Sequence, residues 1–470
     1  MRKRSVKKVN NRIYMDHAAA TPMDERVRKA MEPYWLKDFG NPNALYKEGL
    51  VARNAIESAR AEVARVFGAR PKEIIFTNGG TESDNLAILG IAGAVAGGIG
   101  KLTSLRTDEE GNPTEAKFPN SSLKPAARNF PLPRLHIITS KFEHHAVLSA
   151  CKKLEKEGFE VTYLDVGKDG VVDPEEVKRA LRPETILVSI MYANNEIGAI
   201  QPIREIAKVI RNFKKKGGFS GEAKPNFSRF TLPRSGAGSD ASQNFALPRL
   251  NTAFPYFHTD ACQAPGYLDL NIQKLGVDLM TINGSKIYGP KGTGVLFVKD
   301  GVKLQPILYG GEQEKKLRPG TENVAGIVGL AAALRLADEE REKESTRLSK
   351  LRDYFIGRLT MEIPKVVLNG HSAERLPNNV NVSILDVEGE SVVLYLDEAG
   401  VACSTGSACT SENLEPSHVL MAIGRPHSYA HGAMRFSLGR STTKKNIDYV
   451  MKVLPGIIEK LRMFSPVKIS

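Results

Sequence analysis

The chain is expected to fold as an α/β protein: a large domain on a mainly parallel sheet, followed by a smaller C-terminal α+β domain. Three observations lead there. Short β-rich runs alternate with stretches of helical periodicity up to about residue 305, the pattern of βα units with helices on both faces of a sheet. Beyond that point the pattern changes to a long charged helical stretch, Ile327 to Leu359, and then shorter strands and helices. At 470 residues, 41% hydrophobic and 25% charged, the chain has ordinary globular composition and length for two to four domains of roughly 100–200 residues each.

Residues 1–12 hold six basic side chains and no acidic one, and are expected as a solvated basic tail. No apolar stretch follows to make a secretory signal, so the expected location is cytoplasmic. The large domain is expected over 13–305. Its strands are expected at Glu73–Thr77, Leu135–Thr139, Glu160–Leu164, Thr185–Met191, Tyr256–Asp260, Asp278–Ile282 and Gly294–Val298, from their β-rich composition. Between them, Ala146 to Glu157 places Val147, Cys151 and Leu154 on one helical face, which makes Cys151 a core thiol. Two stretches break the alternation, 101–134 and 214–255. Rich in Gly, Pro, Ser and Asn, they are expected as inserted loops. They contain three F-x-L-P-R runs, Phe130–Arg134, Phe230–Arg234 and Phe245–Arg249, too short and irregularly spaced for a repeat unit. The small domain is expected over 306–470.

Several function classes fall away on composition. The net charge of +13 is carried entirely by the basic tail and the two inserted stretches, so a nucleic-acid groove on the folded body is not expected. The most membrane-like run, Leu86 to Gly100, has 15 residues and five glycines, short of the ~20 that span a bilayer. A membrane is therefore not an expected partner. The four cysteines, Cys151, Cys262, Cys403 and Cys409, include no CxxC pair and read as reduced thiols with no metal site.

Three pieces carry chemistry. In Thr77–Asn85 (TNGGTESDN) a strand ends in two glycines and a threonine opens a helix. Glycines admit close backbone approach and free N–H groups at a helix start favour an anion, so Gly80 and Thr81 are candidate phosphate contacts. Asn283-Gly284-Ser285-Lys286 follows another strand. A lysine at a buried strand end can be desolvated, which lowers its pKa and frees its amine to form a Schiff base. Upstream, Asp260 ends the strand YFHTD, with Gln263 close behind; a buried carboxylate there suits a protonated ring nitrogen. Phosphate turn, strand-end Asp and strand-end Lys are the parts of a pyridoxal 5'-phosphate site. The third piece is Cys409, in the small polar run Cys403–Ser411, where a thiol can be exposed and ionise. Cys403, after the apolar Val401-Ala402, is expected to be buried and inert.

With these pieces in place the chain resembles the cysteine desulfurases, fold-type I pyridoxal phosphate enzymes of the class V aminotransferase family, in the group with a long cysteine loop. The resemblance runs from Ile13-Tyr14-Met15-Asp16-His17-Ala18-Ala19-Ala20 to about Pro466, outside the inserted stretches. Its markers are GNPN (Gly40–Asn43), TESDNLAI (Thr81–Ile88), SKFEHHAV (Ser140–Val147), ILVSIMYANNEIG (Ile186–Gly198), Asp260 with Gln263, KIYGPKG (Lys286–Gly292), RPGTEN (Arg318–Asn323), STGSACTS (Ser404–Ser411) and RFSLGR (Arg435–Arg440).

The resemblance implies roles residue by residue. Lys286 would hold the cofactor aldehyde, His144 would stack on the ring and assist proton transfer, and Asp260 would pair with the ring nitrogen. Gln263 and Asn195 would contact the phenolic side, while Gly80, Thr81, Asn283 and Ser285 would hold the phosphate, with Thr321 reaching in from a second subunit of a homodimer. Arg435, with Asn195, would receive the substrate carboxylate, a task suited to forked donors. Cys409 would take sulfur from L-cysteine as a persulfide, leaving L-alanine, and pass it to an iron–sulfur scaffold or a tRNA-thiolation enzyme. The family commonly shows Ser-x-His-Lys where this chain has Asn283-Gly284-Ser285-Lys286, so a rearranged phosphate grip is expected. Two other readings compete: another activity on the same fold, such as an aminotransferase or a selenocysteine lyase, and a non-catalytic interaction protein. A transaminase has no use for Cys409, and an interaction protein has none for Lys286, His144 and Cys409.

Overall fold

The computed structural model describes residues 12–104, 106–107, 113–114, 134–216, 254–406 and 416–464. Cys409, the two inserted stretches for the most part, and the three F-x-L-P-R runs apart from Arg134 lie outside the described residues.

The strands, in chain order, are β1 (Ile13–Tyr14), β2 (Ile74–Thr77), β3 (Arg106–Thr107), β4 (Pro113–Thr114), β5 (His136–Ser140), β6 (Glu160–Leu164), β7 (Thr185–Ser189), β8 (Tyr256–Asp260), β9 (Leu279–Asn283), β10 (Gly294–Val298), β11 (Val366–Leu368), β12 (Asn379–Ile384), β13 (Val401–Ala402) and β14 (Ala433–Ser437). Seven of them form one sheet in the order β2-β10-β9-β8-β7-β5-β6. The pairs from β9 to β6 are parallel, and β10 runs antiparallel to both β2 and β9. These are the seven strands expected from the sequence, with ends shifted by two residues or fewer. They were legible because β5, β7 and β10, buried along their whole length, carry consecutive apolar residues such as Ile137-Ile138 and Ile186-Leu187-Val188.

Helices cover the sheet through narrow apolar faces. Ile203–Lys215 buries Ile203, Ile206, Ala207 and Ile210, the i, i+3, i+4, i+7 spacing of one helical face. His145–Lys156 buries Val147, Cys151 and Leu154 as expected. One expectation is corrected: the helix Gly80–Ser104 runs four residues into the stretch read as loop from 101, and β3 pairs antiparallel with β4 beyond it. Lys101-Leu102-Thr103-Ser104 contains no proline or glycine, so nothing in it breaks the helix.

The 39-residue helix Val324–Glu362 serves two cores. Its first half, including Leu330 and Leu334, packs with the large sheet's cluster, whereas Leu348, Phe355 and Leu359 pack with β12, β14 and the helix Lys444–Phe464. The second cluster also takes in Met15, because β1 pairs in parallel with β13. The start of the chain is thereby tied to its last third. Among the described residues, no helix is long and apolar enough to cross a membrane.

Candidate active site

The C-terminal ends of β2, β8 and β9 converge, and the turns that follow them hold most of the candidate residues. In open α/β sheets this rim is where ligands bind. After β2 the chain turns through Gly79, at φ 136°, and Gly80 opens the helix Gly80–Ser104. A side chain at position 80 has no room, since a Cβ there would meet Cys262 Sγ at 2.7 Å. Only glycine leaves the first N–H groups of the helix uncovered beside that thiol. A cleft of about 300 Å³ opens at this point, lined by Gly79, Gly80, Thr81, Asn283, Ser285 and the backbone segment Ala19-Ala20. That lies at the low end of the ~300–1,000 Å³ of small-molecule sites.

Asn283 ends β9 and caps the short turn Gly284–Lys286: its Oδ1 accepts the Ser285 N–H at 3.0 Å and the Ser285 hydroxyl at 3.0 Å. The turn delivers Lys286, whose Nζ donates to the Ala19 carbonyl. Asp260, at the end of β8, is buried and accepts the Cys262 N–H at 2.9 Å, which fixes its orientation next to the Gly80 turn. Gln263 reaches across to donate to the Ala18 carbonyl at 3.1 Å. His144 caps the helix His145–Lys156, its Nδ1 accepting the Ala146 N–H at 3.1 Å; in the neutral ring the proton then sits on Nε2.

Arg435, in β14, is only 2% exposed. Its Nη1 donates to the Asn195 carbonyl at 3.0 Å and the Gly406 carbonyl at 2.9 Å, and its Nη2 to Asp16 Oδ1 at 2.9 Å. Burial pushes the Asp16 carboxyl up, against the opposing pull of Arg435. Thr321 is exposed and does not line the cleft. Cys403 is buried, and burial pushes its thiol up to about 12; Cys409 is outside the described residues.

Sequence reasoning missed what the segment Asp16–Thr21 does. Asp16 pairs with Arg435, the Ala18 and Ala19 carbonyls hold Gln263 and Lys286, and the Thr21 hydroxyl donates to the Ser285 carbonyl at 3.0 Å. The signal was present as the run DHAAAT, but most of these bonds are made by backbone carbonyls, which no residue pattern advertises.

The residues present suit pyridoxal phosphate: a helix start and glycine turn for an anion, a strand-end amine, and a buried carboxylate fixed by a backbone donor. Comparison with known proteins agrees. The family description "Aminotransferase class-V" matches residues 13–102, 121–216 and 250–450. A curated relative, "Cysteine desulfurase IscS" of Dictyoglomus turgidum, is 45% identical over 97% of this chain and 97% of its own. Among solved structures, a "NifS-like protein" superposes with a TM-score of 0.76 at 30% identity, covering 96% of this chain and 100% of that one. Another, "SspA in complex with cysteine", gives 0.66 at 31% identity over 91% and 98%. This chain belongs to the class V aminotransferase family of pyridoxal phosphate enzymes and, within it, to the cysteine desulfurases.

Proposed function

We propose that the chain converts L-cysteine to L-alanine, with the sulfur held as a persulfide on Cys409 before transfer to an acceptor protein. The observation that carries the reading is that the Gly80 turn, Asp260 and Lys286 follow strand ends on one rim of the sheet, Asp260 bonded to the Cys262 that packs on Gly80 and Lys286 bonded to Ala19 of the cleft lining. Bound there, pyridoxal phosphate supplies an aldehyde for the substrate amine and a sink for the electrons of the Cα–H bond. Gly80, Thr81, Asn283 and Ser285 would hold its phosphate, Asp260 would pair with its ring nitrogen, and Gln263 and Asn195 would contact its phenolic side. Lys286 would hold the aldehyde, and Lys286 or His144 would move the α-proton. Arg435 receives the substrate carboxylate, exchanging part of its present pairing with Asp16. The Cys409 thiolate then attacks the substrate sulfur: an S–S bond forms, the C–S bond breaks, and its electron pair stays on carbon, which is protonated to give alanine.

The cysteine-bound relative supports L-cysteine as substrate. A homodimer belongs to the same reading, with Thr321 completing the partner's phosphate site. Leu36, Phe39, Leu45 and Tyr46 are exposed within twelve residues of the sequence, and such a concentration of bare apolar side chains suits an interface. We place the enzyme in the cytoplasm, where a free thiol persists, and its acceptor in iron–sulfur assembly or tRNA thiolation.

The test is direct. Purified protein given pyridoxal phosphate, L-cysteine and a reductant is expected to release alanine and sulfide in equal amounts. Mass spectrometry after a single turnover is expected to find one added sulfur on the Cys409 peptide. Alanine release with no sulfur on that peptide sinks the persulfide step, and absence of alanine sinks the whole reading.

A further inference from the structure

The flanks of the Cys409 segment meet at one buried carboxylate. Glu196, 3% exposed, lies in the turn after β7. Its Oε2 accepts the hydroxyl of Ser417, the residue that caps the helix His418–Ala422. Gly406 packs on the same oxygen: a Cβ added there would meet Oε2 at 3.2 Å, and the φ of 109° also favours glycine. Gly406 and Ser417, which stand on either side of residues 407–416, are thus brought together at a single side chain.

The anchor is itself held from two sides. Asn194 Oδ1 accepts the Glu196 N–H at 2.9 Å and the Ile197 N–H at 3.0 Å, while Asn194 Nδ2 donates to the Phe142 carbonyl at 3.0 Å. From β12, Asn379 and Asn381 both donate to the Glu196 carbonyl, at 2.9 and 3.0 Å. All three amides are buried, and a buried network bonded in this way fixes its members. Arg435 shares the network, since its Nη1 bridges the carbonyls of Asn195 and Gly406. The flank at Gly406 therefore stands beside the group proposed to receive the substrate carboxylate. Cys409 follows three residues later, so its Cα stays within about 11 Å of the Gly406 Cα, at ~3.8 Å per residue.

We propose that Glu196 is a positioning residue for sulfur transfer: its carboxylate clamps both flanks of the Cys409 segment, bonding Ser417 and packing on Gly406, and so keeps the thiol close to a substrate held at Arg435. The consequence for sulfur transfer rests on the desulfurase reading, whereas the clamp does not. A hydroxyl that donates to a carboxylate makes a strong hydrogen bond. Without it the second flank is released, the thiol samples a larger volume, and its effective concentration at the substrate falls.

Hydrogen exchange on the full chain without cofactor reads the clamp directly. Glu196→Ala is expected to speed exchange in both flanks, 404–406 and 417–420, by about threefold or more, whereas Glu196→Gln, whose amide oxygen still accepts from Ser417, should stay within about twofold of the parent. Flanks that exchange no faster in Glu196→Ala overturn the proposal. Single turnover of the pyridoxal phosphate-loaded protein with L-cysteine reads the consequence. Glu196→Ala should slow the arrival of sulfur on Cys409 about tenfold or more, while the L-cysteine concentration that half-saturates the cofactor's absorbance change moves less than about threefold. Equal losses in binding and transfer, or a Glu196→Gln variant as slow as Glu196→Ala, overturn the proposal. If Glu196→Ala fails to fold, Ser417 carries the test: Ser417→Thr keeps the donor, whereas Ser417→Asp keeps a helix cap but sets an anion against Glu196. The Asp variant should exchange faster and transfer sulfur more slowly than the Thr variant, and equal behaviour overturns the proposal. If the parent itself gathers no sulfur on Cys409, the desulfurase reading fails while hydrogen exchange still judges the clamp.

Discussion

A lysine, two cysteines and an aspartate separate what a local pattern can reveal from what only folding can. Lys286 was legible because its neighbours, Asn283-Gly284-Ser285, mark the end of a strand, and the fold turns that strand end toward the cleft. Its amine is the group proposed to hold the cofactor aldehyde, so Lys286→Ala is expected to lose the near-visible absorbance and to slow alanine formation at least ~100-fold. Parent-like turnover in that variant would remove Lys286 from the reaction. The cysteines part by environment. Cys403→Ser should keep most activity, because that thiol is buried and its pKa is pushed to about 12, far from the thiolate that nucleophilic attack needs. Cys409→Ser should lose persulfide while still binding pyridoxal phosphate; single-turnover mass spectrometry distinguishes the two. The pairing of Asp16 was not legible: its partner Arg435 lies 419 residues away, and an ion pair so distant in sequence leaves no spacing to read.

At the scale of elements, pattern gave the strands and missed how they are pinned. The edge strand β2 is held by Glu314, which accepts the Phe76 N–H at 2.8 Å and pairs with Arg60 at 2.7 Å, both side chains buried. Arg60 also donates to the Ile74 carbonyl at 2.9 Å, so the helix Lys47–Phe67 is bolted to the strand that leads into the Gly80 turn. Glu314→Ala would strand a buried guanidinium and is expected to destabilise the protein by roughly 3–5 kcal/mol. Chemical denaturation measures this, and a loss below about 1 kcal/mol would show the pair to be dispensable. The turn itself makes a sharper forecast. Gly80→Ala pushes a methyl into Cys262 Sγ at 2.7 Å, which should weaken cofactor binding by roughly tenfold or more, the equivalent of at least ~1.4 kcal/mol of overpacking. Adding Cys262→Ala removes the sulfur and should restore most of that affinity. Absence of rescue would mean that the backbone N–H groups, not the thiol contact, set the need for glycine.

For the whole molecule, the alternation of strand and helix made the α/β class legible, because the strands are short β-rich runs separated by stretches of helical periodicity. The tie from β1 to β13 and the division of the long helix between two cores were not, since they depend on which surfaces meet after folding. The last expectation concerns pH, where buried groups from several elements act together on stability. Burial pushes His136 down to about 3 and His258 to about 4, from 6.5. Both rings bind protons more readily unfolded, so their contribution is present above pH 6.5 and is lost as pH falls toward 4. Asp24, drawn down to about 2 by its bond from Arg26, adds a further loss as pH falls from about 4 to 2. Glu143 has the opposite sign. Burial raises it from 4.5 to about 8, so its contribution is full below 4.5 and is lost as pH rises through 8. The lowered histidines, His17 and His145 among them, outweigh the two raised carboxyls Glu143 and Asp84 below pH 6.5, and above it those carboxyls still lower stability as pH rises. Thermal stability of the cofactor-free protein should therefore peak near pH 6.5 and decline beyond it, and Glu143→Gln should lessen that alkaline decline while steepening the rise between pH 4.5 and 6.5. A midpoint of unfolding that keeps climbing to pH 9 in the parent, or an alkaline decline as steep in Glu143→Gln, would show that Glu143 is already ionised in the folded chain.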